Sequence, residues 1–166
     1  MHTSYTINTT IPLALQKLAS EVLHSKLVDL TSRERKLTTH ILWHLAEVDR
    51  RKLYLQMAYP SFFEYLVRGL GYAPASAQRR IDAARLLAQL PQSESQQVAQ
   101  KIEAGDLNLS QISKLQSFSR QARKETGKVV SPEQKSQILR AIENQSVVQT
   151  EKILAKALDI KPQQAT

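Results

Sequence analysis

Four long polar side chains lie close together near the middle of the chain: Gln78, Arg79, Arg80 and Arg85. Arginine can bind the edge of guanine through two hydrogen bonds, and glutamine can pair in a similar way with adenine. The first turns of a recognition helix make such contacts in the major groove. The cluster therefore predicts contact with duplex DNA, in which Arg85 is better placed for a phosphate than for a base.

Two helices joined by a short turn would position this cluster. Ser61 and Glu64 have the spacing of a capping box, which predicts a helix start. Gly71 suits the left-handed residue that follows a helix, and Pro74 suits the first position of the next one. Positions 61–90 therefore predict a helix-turn-helix.

The second of these helices combines small residues with an inward-facing stripe. The residues predicted to face the core are Ala77, Ile81, Ala84 and Ala88. Ala75 and Ser76 are small enough for the helix to approach a DNA backbone closely, and the helix N-terminus can itself bind a phosphate. We expect this helix to project from the bundle and to present its arginines outwards.

The overall charge agrees with a polyanionic partner. The chain of 166 residues has 23 Lys and Arg against 15 Asp and Glu, a formal net charge of +8 and a pI near 9.8. Such an excess is typical of proteins that bind nucleic acids. Further cations predicted to contact DNA are Lys114, Arg120, Arg123 and Lys124. A solvated helix surface is the alternative interpretation of these charges.

The rest of the chain predicts an all-α fold of about seven helices, because good helix formers dominate and glycine is scarce. Thr31 and Glu34 form a capping-box pattern, which predicts a helix from there to about Leu53. Its expected apolar stripe consists of Leu37, Ile41, Leu45 and Val48. Further helix starts are predicted at Ser93, Asn108, Ser131 and Ser146.

These elements suggest a domain organisation in five parts. We expect a disordered arm at 1–10, a long-helix pair at 11–60, a DNA-binding core at 61–128, a C-terminal helical pair at 129–160 and a tail at 161–166.

Several classes of site are excluded or disfavoured. The absence of cysteine excludes disulfides and thiol catalysis. No apolar run is long enough for a membrane span, and no signal peptide is evident, so we expect a cytoplasmic, nucleoid-associated protein. His40, His44 and Glu47 share a helix face, but no third strong metal ligand accompanies the histidines. We expect no metal, no cofactor and no catalytic residue.

The chain from Leu27 to about Leu158 resembles the helical N-terminal region of bacterial HNH endonuclease-family proteins. The resemblance rests on RERKLTTHILWHLAEVDRRKLYLQMAYPSFFEYLVRGLGYAPASAQRRIDAARLL, on KIEAGDLNLSQISKLQSF and on SPEQKSQILRAIENQSVVQTEKILA. The segment LGYAPASAQRRIDAARLLAQLP, followed by KIEAGDLNLSQISKL, is also similar to the helix-turn-helix region of ParB-type partition proteins. Both resemblances imply duplex DNA binding, and the second also implies dimerisation.

The resemblance has departures that bear on function. In the endonuclease family the nuclease follows this helical region, and the chain ends at Thr166 without its histidines. We therefore expect a non-catalytic DNA-binding module, with a nuclease fragment as an alternative. Ala73 also stands where such families often have a serine cap. A second alternative is a protein-interaction or oligomerisation scaffold, which would pair with a partner through Leu109, Ile112, Leu115, Phe118 and the last two helices. A transcription- or partition-type regulator is a further alternative.

Overall fold

The computed structural model describes residues 11–161, and within this range the chain is entirely helical, as predicted. Nine α-helices occur in the described part of the chain, and a π-helical segment, Tyr65–Gly69, continues the fourth. They are α1 (Leu13–Gln16), α2 (Ser20–Arg51), α3 (Leu53–Gln56), α4 (Phe62–Glu64), α5 (Pro74–Gln89), α6 (Gln92–Ala104), α7 (Leu109–Thr126), α8 (Pro132–Ile142) and α9 (Val147–Leu158). The chain forms two compact units, the first ending at Glu34 and the second beginning at Arg35. Among the described helices, none has the length and apolarity that crossing a bilayer requires. The predicted arm at 1–10 and most of the tail lie outside the described residues.

Helix α2 begins eleven positions before the predicted start, at Ser20, so Thr31 lies inside it rather than at its N-cap. The Thr31 hydroxyl donates to the carbonyl oxygen of Val28 at 3.0 Å, which is a contact within the helix. Neither glycine nor proline interrupts positions 20–51, and extending a helix costs less than starting a new one. The helix ends near the predicted position, because Lys52 adopts a left-handed conformation with φ of 55°.

The buried face of α2 also differs from the predicted stripe. Leu45 is buried as expected, but Leu37 is 62% exposed, and Ile41 and Val48 are only partly buried. The fully enclosed positions are instead Thr39 and Leu42. The Thr39 hydroxyl donates a hydrogen bond at 2.6 Å to the carboxylate of Glu103 on α6. This bond compensates for the burial of the polar Thr39 side chain.

The turn before α5 forms as the sequence predicts. The Ser61 side chain accepts a hydrogen bond from the backbone N–H of Glu64 and thereby caps α4. Gly71 has a φ of +79°, a left-handed conformation that is favourable mainly for glycine. Pro74 then begins α5, and Ala73 precedes it without a side-chain cap.

Helix α5 is the central helix of the second unit, since it packs against α4, α6 and α7. Ala77, Ile81 and Ala84 are buried as predicted, but Ala88 is exposed. The helices around α5 bury more of its surface than the predicted single stripe. The additional buried residues are Asp82, Ala83, Leu86 and Leu87. The alanines allow close approach, because the distance between helices depends on the side chains at their contact.

The remaining helices mostly begin and end where local signals predict. The N-cap side chains of Asn108, Ser131 and Ser146 each accept a backbone hydrogen bond. Helix α6 is the exception, because it begins at Gln92 with Pro91 as its N-cap, and Ser93 therefore lies inside it. The restricted φ of proline already sets the direction in which the chain enters this helix.

The apolar residues of α7 belong to the core of the chain. Ile112 and Leu115 have no exposed surface, and Leu109 and Phe118 pack against the same core. Helix α9 packs against both α7 and α8. Ile112 and Leu115 are therefore buried within the chain, whereas Leu109 and Phe118 are only partly buried.

Candidate nucleic-acid interface

We expected helix α5 to project from the bundle, and it does not. Its neighbours enclose most of it, and the exposed parts are its first turn, at Pro74 and Ala75, and a narrow strip that includes Arg85 and Gln89. The first turn has no side-chain cap, unlike that of α4, α7, α8 or α9. The early backbone N–H groups of α5 therefore lack a side-chain acceptor, which is the condition for binding an anion at a helix N-terminus.

The Arg80 side chain contacts two residues at the start of α5, Tyr72 and Ser76. Its guanidinium carbon lies 4.3 Å from the centroid of the Tyr72 ring, in a cation–π contact. The same group donates to the carbonyl oxygen and to the hydroxyl of Ser76. Its Nε is buried and has no hydrogen-bond partner in the described part of the chain. Ser76 and Arg80 are thus both half-buried and bound to each other.

Arg79 differs from Gln78 and Arg80 because its side chain has no hydrogen bond or ion pair within residues 11–161. It borders a shallow groove of about 310 Å³ between α5 and α7. The other residues that line this groove, which we call the serine groove, are Ser110, Ser113, Lys114 and Ser117. The Lys114 ammonium forms an ion pair with Glu151 of α9, which compensates part of its charge. The structure thereby brings together Arg79 and Lys114, two of the predicted DNA contacts.

The carboxylate of Asp82 joins the two helices that form the groove. Asp82 is only 2% exposed, and it accepts hydrogen bonds from Gln78 at 3.1 Å and from Ser113 at 2.7 Å. Arg120 forms an ion pair with it at 2.9 Å. Gln78 and Arg120, both predicted DNA contacts, therefore have internal partners, and no pattern in the sequence predicts a buried carboxylate between them.

Arg85 forms an ion pair with Asp49, which lies in the part of α2 that belongs to the second unit. Its Nε donates to the Asp49 carboxylate at 2.9 Å, and its guanidinium lies 5.7 Å from the Phe62 ring centroid. Partial burial raises the pKa of Asp49, but hydrogen bonds from Arg85 and Lys52 outweigh this effect and hold that pKa below its usual value. The same bond to Asp49 raises the pKa of Arg85.

A larger groove of about 460 Å³ lies on the other side of Asp82. We call it the lysine groove, and the residues that line it are Asp82, Arg85, Gln89, Gln116, Ser119, Arg120, Arg123, Val129, Val130, Pro132 and Lys135. It brings together three predicted contacts, Arg85, Arg120 and Arg123, whereas Lys124 is exposed and borders neither groove. The sequence does not predict Lys135 as a site residue, because nothing local distinguishes a buried lysine from one on a helix surface.

The histidines of α2 are not assembled into a metal site. The Nδ1 atom of His44 lies 2.7 Å from the carbonyl oxygen of His40. Hydrogen bonds from Arg50 and Arg51 lower the pKa of Glu47 to about 2, so this carboxylate is already occupied by cations. Within residues 11–161, no group of three or more His, Asp or Glu residues could hold a metal ion.

Comparison with known proteins yields no relative from which a function could be transferred. No protein-family model matches the chain, and no curated protein or solved structure matches it significantly.

Proposed function

We propose that the chain binds double-stranded DNA through the first turn of α5 and the serine groove. The observation that carries this proposal is the position of Arg79, which has no partner within the described residues and borders a groove with Lys114 and three serines. No carboxylate lines that groove. Arginine, lysine and serine are common donors to phosphate oxygens, so the groove has the composition of a phosphate-contacting surface.

The uncapped N-terminus of α5 is a second feature that favours phosphate binding at this surface. Pro74 has no backbone N–H, and no side chain caps the N–H groups that follow it. Arg80 contacts both Ser76 and Tyr72, so bonds within the chain already link these residues without a ligand. A preorganised turn loses less conformational entropy on binding than a mobile one.

The cations that follow along α7 would extend the contact to further phosphates. Arg123 and Lys124 are exposed, and Arg120 keeps more than half of its side chain in solvent although it pairs with Asp82. Each phosphate that a cation neutralises releases counterions, so the affinity should fall steeply as salt rises. A homodimer would present two such surfaces to two half-sites, and light scattering of the free and DNA-bound protein would measure the stoichiometry.

Fluorescence anisotropy with a random-sequence duplex at several salt concentrations tests the proposal. Arg79→Gln should weaken binding uniformly across sequences and reduce the salt slope by about 1, as expected when one phosphate contact is lost. Arg140→Gln is the matched control, because Arg140 is exposed on α8 and borders a different groove that contains Glu94 and Glu143. Binding that does not respond to salt, or equal losses in the two variants, would contradict the proposed interface.

A further inference from the structure

The charges around the lysine groove do not balance within the chain. Arg85 and Arg120 are compensated, because they form ion pairs with Asp49 and Asp82 respectively. Arg123 and Lys135 have no carboxylate partner in the part of the chain that the structure describes. The groove therefore carries two uncompensated positive charges.

Lys135 is the more informative of these two cations, because it is only 9% exposed. Its ammonium donates to the side-chain oxygens of Gln89 at 3.0 Å and of Gln116 at 2.7 Å. An ammonium has three N–H donors, so one remains for a ligand. Burial lowers the pKa of Lys135, and the positive charge of Arg120 lowers it further, whereas the carboxylate of Asp82 raises it. Asp82 forms its ion pair with Arg120, so within residues 11–161 no carboxylate is bound to the Lys135 ammonium, although buried charges in proteins are normally paired.

Part of the groove's lining is apolar. Val129 is 68% exposed, and Val130 and Pro132 are partly exposed. These residues line the same groove as the cations, so one ligand could contact both. The volume of about 460 Å³ lies within the range of small-molecule sites.

We propose that the lysine groove binds a phosphate monoester whose organic part has an apolar face, with Lys135 and Arg123 bound to the phosphate and Val129 and Val130 against that face. A phosphate monoester has a charge close to −2 near neutral pH, which matches the two uncompensated cations. A nucleoside 5′-monophosphate and the 5′-phosphate at the end of a DNA strand share this chemistry. The site goes beyond duplex binding, because it depends on a buried lysine that lies outside the serine groove.

Isothermal titration calorimetry of the full chain with adenosine 5′-monophosphate and with adenosine tests the site. The monophosphate should bind with a dissociation constant below about 1 mM, which corresponds to a modest binding free energy. Adenosine should not bind measurably. A second titration compares duplexes with 5′-phosphate and 5′-hydroxyl ends. Tighter binding of the phosphorylated duplex would identify a strand end as the ligand, whereas an effect of the mononucleotide alone would identify a free nucleotide.

Three variants assign the binding to the named residues. Lys135→Met and Arg123→Gln should each weaken monophosphate binding at least about tenfold, a loss that corresponds to one good charged contact. Arg140→Gln is the control, because Arg140 is exposed on α8 and does not line the lysine groove. Arg123 is also exposed, so its replacement keeps the test valid even if Lys135→Met fails to fold.

Failure of this site can be distinguished from failure of the proposed duplex contact. Lys135→Met should keep its affinity for a hydroxyl-ended duplex, and Arg79→Gln should keep its affinity for the monophosphate. Equal binding of adenosine and its monophosphate would overturn the inference. So would equal losses in Arg140→Gln and Arg123→Gln, or the absence of monophosphate binding together with equal affinity for the two kinds of duplex end.

Discussion

Replacement of Asp82 by alanine should destabilise the protein more than any loss of an exposed carboxylate. The carboxylate is 2% exposed and receives hydrogen bonds from Gln78 and Ser113 as well as the ion pair with Arg120. Hydrogen bonds to charged groups contribute about 1.5–3 kcal/mol each to stability, but Gln78 and Arg120 can bond to water after the change. We therefore expect Asp82→Ala to lower the free energy of unfolding by about 3 kcal/mol, at the lower end of the range for a broken buried pair.

Urea denaturation followed by far-UV circular dichroism measures this loss. A loss of about 3 kcal/mol corresponds to a melting temperature lower by about 6–12 °C in a chain of this size. Asp82→Asn should lose only about 1 kcal/mol, because the amide oxygen still accepts from Gln78 and Arg120 and its NH₂ group can donate to the Ser113 hydroxyl.

Glu125→Ala provides the control, since Glu125 is exposed on α7 and contacts only Gln121 among the described side chains. Its effect should stay within about 0.5 kcal/mol. A loss below about 1 kcal/mol for Asp82→Ala would refute the role assigned to this carboxylate in joining α5 to α7.

Two further predictions concern other parts of the second unit. Gly69→Ala should destabilise the protein by about 1 kcal/mol in urea denaturation, because the added Cβ would lie 3.0 Å from the Tyr59 ring; unchanged stability would mean that the tyrosine moves aside freely. The pKa of Glu47 should be about 2, so the stabilisation from its arginine bonds is complete above pH 4.5 and is lost as the pH falls towards 2. An NMR titration should show this midpoint moving back towards 4.5 when Arg50 and Arg51 are both replaced by glutamine, and an unmoved midpoint would contradict the assignment.

Local signals in the sequence predicted most of the helix ends. Ser61, Asn108 and Ser131 cap helices as expected, because a cap is a hydrogen bond between residues three apart and needs no tertiary partner. The same kind of signal at Thr31 was wrong, because a capping pattern inside a run of good helix formers does not interrupt the helix. Local chemistry thus indicates where a helix can start but not whether the preceding residues are already helical.

The faces that the helices bury were harder to predict. Leu37 was expected in the core and is exposed, whereas the polar Thr39 is buried by its bond to Glu103. Helix α5 was expected to project and instead occupies the centre of its unit. In each case the outcome depends on partners that are distant in the sequence, which periodicity alone does not identify.

The sequence by itself determined the all-helical class, the turn at Gly71 and the basic character of α5 and α7, because these properties follow from composition and from neighbouring residues. Only the tertiary structure decided which cations are free. It pairs Arg85 with Asp49 and Arg120 with Asp82, and within residues 11–161 it leaves the Arg79 side chain without an ion pair at the serine groove. The physical reason is that the charge on a side chain becomes available to a ligand only when the fold supplies no counter-charge, and the counter-charges of Arg85 and Arg120 come from other helices.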